Sequence, residues 1–157
     1  MVKFFVPGIP APKGSFKTFR SKTTGRLVTM NDNKTTTPWQ NDIKLFASQH
    51  MTTMLDEPVE VEATYFFLRP KKPKYALPAK APDVDKLARN VLDALTGVAF
   101  DNDAKVTDIV MRKRWAEGTN QPGVLITIKP ATKETVCYHQ QPLEIFELAP
   151  VDASRLF

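Results

Sequence analysis

The segment at residues 82–108 constrains the fold of this chain more than any other. Within it, Leu87, Val91 and Leu95 recur at four-residue spacing, which predicts a helix with one face in a core. Gly97 follows at the position where a helix commonly ends in a left-handed residue. Six Asp residues surround this helix and the turn after it: Asp83, Asp85, Asp93, Asp101, Asp103 and Asp108. The segment therefore predicts a helix, a tight turn and a surface rich in carboxylates.

This acidic segment belongs to a chain that is otherwise basic. Residues 1–82 hold 13 Lys and Arg against 6 Asp and Glu, whereas residues 83–157 hold 9 against 11. A net charge of +5 and a pI near 9.4 are typical of a protein that binds a polyanion, because Lys and Arg release counterions from phosphates. A merely soluble basic protein fits the charge equally well. If the partner is a nucleic acid, the carboxylates indicate a metal ion that acts on its phosphate backbone.

Length and composition predict one compact domain in a reducing compartment. A chain of 157 residues with 42% hydrophobic content can bury a substantial core without disulfides or structural zinc. Its single cysteine, Cys137, excludes an intramolecular disulfide framework and a zinc site with several cysteines. The apolar run before Pro7 is too short for a signal peptide or a membrane span. We therefore expect a cytoplasmic protein.

Hydrophobic periodicity predicts four strands and two helices. The strands are expected at residues 2–7, 59–68, 106–115 and 124–128, the second with one buried face. The first helix is expected to open at Thr37 and Pro38 and to run to about Leu55, and the second follows Pro82.

Two polar segments cannot contribute much core and are candidates for contacts with phosphates. Residues 10–36 read as a long loop with a short hairpin around Thr24 and Gly25, and residues 69–82 as a stiff, exposed connection rich in proline and lysine. The candidates for phosphate contacts are Lys13, Lys17, Arg20, Lys71, Lys72 and Lys74. The aromatic residues Phe16, Phe19 and Tyr75 are candidates for base stacking, with local packing as the alternative for Phe16 and Phe19.

Asp83 and Asp85 lie where a helix begins, and two readings of them stay open. The positive end of the helix dipole keeps carboxylates ionised there, so both can bind a cation. Alternatively, Asp83 is an ordinary N-cap, and Asp85 forms a surface ion pair with Arg89.

A calcium loop of the helix-loop-helix type does not fit the second acidic group. Asp101 and Asp103 match its first two ligands, but Val106 replaces the required glycine. Lys105 stands at the third oxygen ligand, and Arg112 at the closing glutamate. We instead expect a reversing strand to bring Asp103 back beside the helix N-terminus.

Three neighbouring Asp side chains repel one another, and a divalent cation relieves that repulsion. Mg²⁺ prefers oxygen ligands and commonly bridges carboxylates to a substrate phosphate. If the strand brings Asp103 back to the helix N-terminus, Asp83, Asp85 and Asp103 together offer the oxygen ligands of such a metal site.

The motif in this segment resembles the RusA-type Holliday junction resolvases. It reads Pro-Asp-x-Asp from Pro82, a basic residue six positions after the first Asp, Leu-Asp-Ala-Leu-x-Gly, and Asp-x-Asp-Ala-x-Val. The resemblance implies essential carboxylates at Asp83, Asp85 and Asp103, with Arg89 in place of the family's usual lysine. Lys86 stands where the family usually has Asn, so the resemblance implies catalytic roles for both basic residues. Arg89 can grip a phosphate through two hydrogen bonds, but it does not donate a proton as lysine can.

The resemblance also implies a fold and an activity. The fold is α+β: a small mixed sheet of about four strands packed against two main helices, in a single domain at residues 1–131, with residues 132–157 as an extension of unknown role. The activity is symmetric, Mg²⁺-dependent nicking of four-way DNA junctions by a homodimer in recombination and repair, as in phages and prophages. Mn²⁺ can substitute, and neither a nucleotide cofactor nor a membrane is involved.

Two other functions stay open at this point. The first is a metal-dependent nuclease that acts on flaps or other branched DNA. The second is a non-catalytic DNA-binding accessory protein of recombination, in which the Asp cluster only caps a helix.

Overall fold

The computed structural model describes residues 1–13, 16–20, 23, 25–31, 36–118 and 121–132. Its elements are β1 (Val2–Pro7), β2 (Phe16–Arg20), β3 (Leu27–Asn31), α1 (Thr36–His50), β4 (Val59–Leu68), α2 (Val84–Leu95), β5 (Val106–Ala116) and β6 (Gly123–Pro130). A single 3-10 turn, Asp103–Lys105, precedes β5. The expected extension at residues 132–157 lies almost entirely outside the described residues.

Four strands form one mixed sheet in the order β1-β6-β4-β5. β4 pairs in parallel with β5 and antiparallel with β6, which in turn pairs antiparallel with β1. Two helices and a four-stranded mixed sheet are the predicted α+β fold, which is confirmed. β5 and β6 follow one another in the chain but are not neighbours in the sheet, because β4 lies between them.

The hairpin expected within residues 10–36 is also present. β2 and β3 pair antiparallel as a separate two-stranded sheet, with Phe16 opposite Asn31 and Arg20 opposite Leu27. This hairpin is inserted between β1 and α1.

Both helices contribute one face to the core. Leu87, Val91 and Leu95 of α2 are fully buried, as their spacing predicts, and Ile43 and Ala47 are the equivalent residues of α1. β4 alternates as expected, except that Glu60 is also buried, where its Oε2 lies 3.1 Å from Lys129 Nζ on the neighbouring β6. Among the described residues, no helix has the length and apolar character needed to cross a bilayer.

The boundaries of α1 differ from the prediction at both ends. The helix begins one residue early, at Thr36, whose Oγ1 donates a hydrogen bond to the Pro12 carbonyl at 2.9 Å. It ends at His50 and not near Leu55, because the Leu55 amide donates to the Ala99 carbonyl, 2.8 Å away, in the turn after α2. A contact that is distant in the chain therefore ends this helix.

Gly8 provides a test of the packing between β1 and α1. Its φ is +137°, and a Cβ built on it would lie 2.7 Å from Cζ3 of the buried Trp39 ring. Gly8→Ala is therefore expected to lower the free energy of unfolding by about 1–3 kcal/mol. Gly118 is the control, since its φ is +62° but nothing lies within 4 Å of a built Cβ. Urea unfolding that gives equal losses for Gly8→Ala and Gly118→Ala would contradict this packing.

Candidate active site

A cleft of about 640 Å³ opens where α2 begins. The first turn of α2 forms one wall, the chain just before it forms another, and the second half of β5 forms the floor. The lining residues are Leu77, Pro78, Ala79, Lys80, Ala81, Asp83, Val84, Asp85, Met111, Arg112, Lys113 and Arg114. The lining thus includes two Asp residues and four basic residues.

Asp83 does not act as a side-chain cap, although its backbone occupies the N-cap position with φ −70° and ψ 142°. Its side chain makes no capping hydrogen bond and is 60% exposed. Oδ2 instead accepts from Lys86 Nζ at 2.9 Å. The hydrogen bond from Lys86, together with its positive charge, holds the pKa of the Asp83 carboxyl below its ordinary value. Asp83 therefore presents an ionised carboxylate to the cleft.

Asp85 lies one residue into α2, is exposed and lines the same cleft. Among the ion pairs of the described residues, none joins Asp85 to Arg89. Asp83 thus occupies the N-cap position without capping through its side chain, and the surface ion pair of this turn joins Asp83 to Lys86 and not Asp85 to Arg89. Arg89 itself is exposed on the next turn of α2.

The cations of the cleft come mainly from β5. Lys113 Nζ donates to the carbonyls of Lys80, at 2.5 Å, and Pro82, at 2.9 Å. These bonds fasten the chain just before α2 to the floor of the cleft. Arg112 is paired with Glu62, and Arg114 is exposed. Lys80 and the basic residues of β5 are not among the candidates for phosphate contacts selected from the sequence. The signal available in the sequence was the presence of basic residues on both sides of the Asp pair along the chain.

Asp103 lies at the other end of α2 and is exposed in the 3-10 turn before β5. The 12 residues of α2 span about 18 Å. β5 rises about 23 Å between Val106 and Lys113. Among the described residues, no group of three or more His, Cys, Asp or Glu side chains is arranged to hold a metal ion.

The expectation that Asp103 folds back beside Asp83 within one chain is therefore not met. The reversal occurs after α2, so a residue at the start of β5 lies next to the helix C-terminus. Only a residue further along β5, such as Lys113, returns to the start of the helix. The structure brings together Asp83, Asp85 and Lys86, and leaves Asp103 apart from them.

The remaining Asp residues of the acidic segment each have a partner of their own. Asp93 is paired with Lys13, and Asp101 shares Lys105 with Asp56. Asp108 accepts a hydrogen bond from Thr107.

The basic residues selected from the sequence fall into three groups. Lys71, Lys72 and Lys74 are exposed on the connection between β4 and α2, with Lys74 Nζ 5.2 Å from the Tyr75 ring centroid. The Lys13 side chain is only 26% exposed because it is paired with Asp93. The side chains of Lys17 and Arg20 lie outside what the structure describes, as do those of Phe16 and Phe19.

Comparison with known proteins identifies a family. No curated protein matches the chain. The family model described as "Endodeoxyribonuclease RusA" matches residues 7–129. This range starts at the last residue of β1 and includes both helices, the acidic segment and nearly all of β6. The chain therefore belongs to the RusA family of endodeoxyribonucleases, which resolve Holliday junctions.

Proposed function

We propose that this protein is a Mg²⁺-dependent endonuclease that resolves four-way DNA junctions by paired, symmetric nicks. One observation carries the proposal: the exposed pair Asp83 and Asp85 lies in a cleft whose lining includes four basic residues. The cations attract a phosphate backbone, which two carboxylates alone would repel. Junctions of this kind arise during recombination and repair of DNA in the cytoplasm of bacterial or phage-infected cells, where we expect the enzyme to act.

The donor set fits Mg²⁺, because both side chains offer oxygen and both are exposed enough to share the ion with water and a phosphate. When bound, Mg²⁺ supplies an activated water and offsets charge on the leaving oxygen. Asp83 and Asp85 would hold the ion, while Lys80 and Lys113 would attract and orient the phosphate. Mn²⁺ also accepts such oxygen ligands.

We infer the role of Lys86 from its contact with Asp83. Without metal, its ammonium offsets the charge of Asp83 at 2.9 Å. When a divalent cation takes that place, the ammonium is free to move to the phosphate and stabilise negative charge in the transition state. Arg89, one turn away, remains charged throughout and can hold a neighbouring phosphate by two hydrogen bonds.

The Lys86→Met variant tests both roles of Lys86, the contact with Asp83 and the stabilisation of charge in the transition state. We expect cleavage of a saturating junction to fall about 10- to 100-fold, because a transition-state charge is lost. We also expect half-maximal rate at a lower Mg²⁺ concentration, because the cation no longer competes with an ammonium for Asp83. A Mg²⁺ titration of initial nicking rates measures both effects, with Arg89→Met as the matched variant. An unchanged rate and an unchanged Mg²⁺ midpoint in Lys86→Met would assign the role to Arg89.

A homodimer explains why Asp103 is separated from the other carboxylates. β5 is an edge strand, and among the described residues its backbone ladder runs only to β4. An unpaired edge is a template for another strand, and Ile109 on it is 47% exposed. A twofold axis that sets two β5 edges antiparallel directs the start of one strand toward the end of the other. We propose that the partner's Asp103 completes the site of Asp83 and Asp85 in this way.

A side-by-side cleavage assay tests the proposed function. Labelled four-way junction, flap and linear duplex are incubated with the protein, with Mg²⁺ and with EDTA. We expect symmetric nicks in the junction only when Mg²⁺ is present. Preference for the flap would favour a nuclease of other branched DNA, and binding without any cleavage would favour an accessory protein.

A further inference from the structure

A short strap, residues 11–13, lies along α2 beside the active site and holds it through three contacts. The Ala11 carbonyl accepts from Asn90 Nδ2 at 2.5 Å. The Lys13 amide donates to the Lys86 carbonyl at 3.0 Å, and Lys13 Nζ forms an ion pair with Asp93. The strap thus spans two turns of the helix that carries the catalytic carboxylates.

The same strap is fastened to α1. The Pro12 carbonyl accepts a hydrogen bond from Thr36 Oγ1 at 2.9 Å. Thr36 is the first residue of α1 and is 1% exposed. Gln40, one turn later, donates to Asp93 at 3.4 Å. The chain between the strap and Thr36 contains the β2–β3 hairpin, so the described residues on either side of that insertion, 11–13 and Thr36, meet at one polar joint with α2.

Asn90 is the most informative member of this joint. It is fully buried, and its Oδ1 has no hydrogen-bond partner among the described atoms. An apolar side chain of similar size would avoid that unpaired oxygen and would be better for packing alone. Among the described residues, the Asn90 side chain makes one hydrogen bond, to the Ala11 carbonyl of the strap, so its effect is to fix the strap on the helix.

We propose that Asn90, Asp93 and Lys13 are positioning residues that set how the β2–β3 hairpin leaves the catalytic helix, so that the hairpin holds branched DNA. The inference rests on the proposed nuclease function. It also gives Lys13 a different role from the phosphate contact expected from the sequence, because its ammonium is committed to Asp93. The joint is coupled directly to the site, since Lys86 accepts from the strap through its carbonyl and contacts Asp83 through its ammonium.

Charge reversal of the pair tests this proposal. Lys13→Asp and Asp93→Lys are each expected to weaken junction binding about tenfold, and the double variant to recover most of that loss, because the pair is restored in reverse. If Lys13 contacts phosphate, the double variant stays as weak as Lys13→Asp. Binding is measured in EDTA, so the result is readable even if Asp83→Asn shows that the cleavage proposal is wrong.

The Asp93→Asn variant tests the direction in which junction affinity changes. A positioning role predicts weaker junction binding, since the ion pair that holds the strap is reduced to a neutral hydrogen bond. A phosphate-contacting Lys13 predicts tighter binding, because a nearby negative charge is removed and the ammonium is released. Tighter binding would overturn the proposal. Lys44→Met, an exposed lysine on α1, is the control for simple loss of one charge.

Steady-state kinetics of Asp93→Asn separate positioning from general damage to the fold. We expect KM for the junction to rise several-fold with kcat changed less than about twofold, the signature of lost binding in both ground and transition states. A fall in kcat at unchanged KM would contradict the inference.

Discussion

Asp83→Asn and Asp85→Asn are each expected to abolish Mg²⁺-dependent nicking of a synthetic four-way junction while junction binding survives. Both side chains are exposed in the cleft at the start of α2, and neither supports the helix through a side-chain cap or an intrahelical pair with Arg89. Each substitution removes one negative charge from the pair that is to hold the metal. We expect the nicking rate to fall by at least about 100-fold, the order seen when one stabilising group is lost at a reacting centre.

The measurement is initial nicking rate and junction affinity on the same preparation. Affinity in EDTA should be unchanged or slightly tighter, because a carboxylate near the phosphate backbone has been neutralised. Asp42→Asn, an exposed carboxylate on α1, is the matched control and should nick at the normal rate. Nicking by either cleft variant at the wild-type rate would rule out this site.

Mixing two inactive variants is expected to restore nicking if the site is shared between subunits. In a heterodimer of Asp83→Asn and Asp103→Asn, one shared site carries both substitutions. The other combines an intact Asp83 with an intact Asp103 from the partner. Random exchange of subunits makes half of the dimers mixed, so about a quarter of the wild-type sites are recovered.

The cleavage product expected from the heterodimer also shows how its sites are arranged. A heterodimer with one working site makes single nicks but does not make the paired cuts that resolve a junction. Labelling each of the two strands separately distinguishes these outcomes. If all three carboxylates acted within one chain, both subunits of every heterodimer would be inactive, and no nicking would return. Mixing Asp83→Asn with Asp85→Asn is the control, because those two residues belong to the same end of α2.

The separation of Asp103 shows what the linear motif could not reveal. The motif places Asp83, Asp85 and Asp103 within about twenty residues, which is compatible with a cluster in one chain. A rigid helix of 12 residues lies between them, however, and the turn after it fixes Asp103 at the far end. Distance in a helix grows by about 1.5 Å per residue, so a short stretch of sequence here is a long distance in space.

Lys13 illustrates a second limit of the sequence. As one basic residue in a polar segment, it was indistinguishable from Lys17 or Arg20. Its partner Asp93 is 80 residues away, and only the packing of the strap on α2 brings the two together. Charge patterns predict which segments are basic, but they do not predict which cations are already paired within the protein.

The sequence by itself determined the strands and helices, the hairpin, the core face of α2 and the motif of the family. These follow from periodicity, from glycine and proline positions and from residue types close together in the chain, all of which are local properties. The tertiary structure alone decided the order of strands in the sheet, the end of α1 at the contact of Leu55 with Ala99, and which charges meet. Such features depend on contacts between distant residues, because they arise only when separate elements pack against one another.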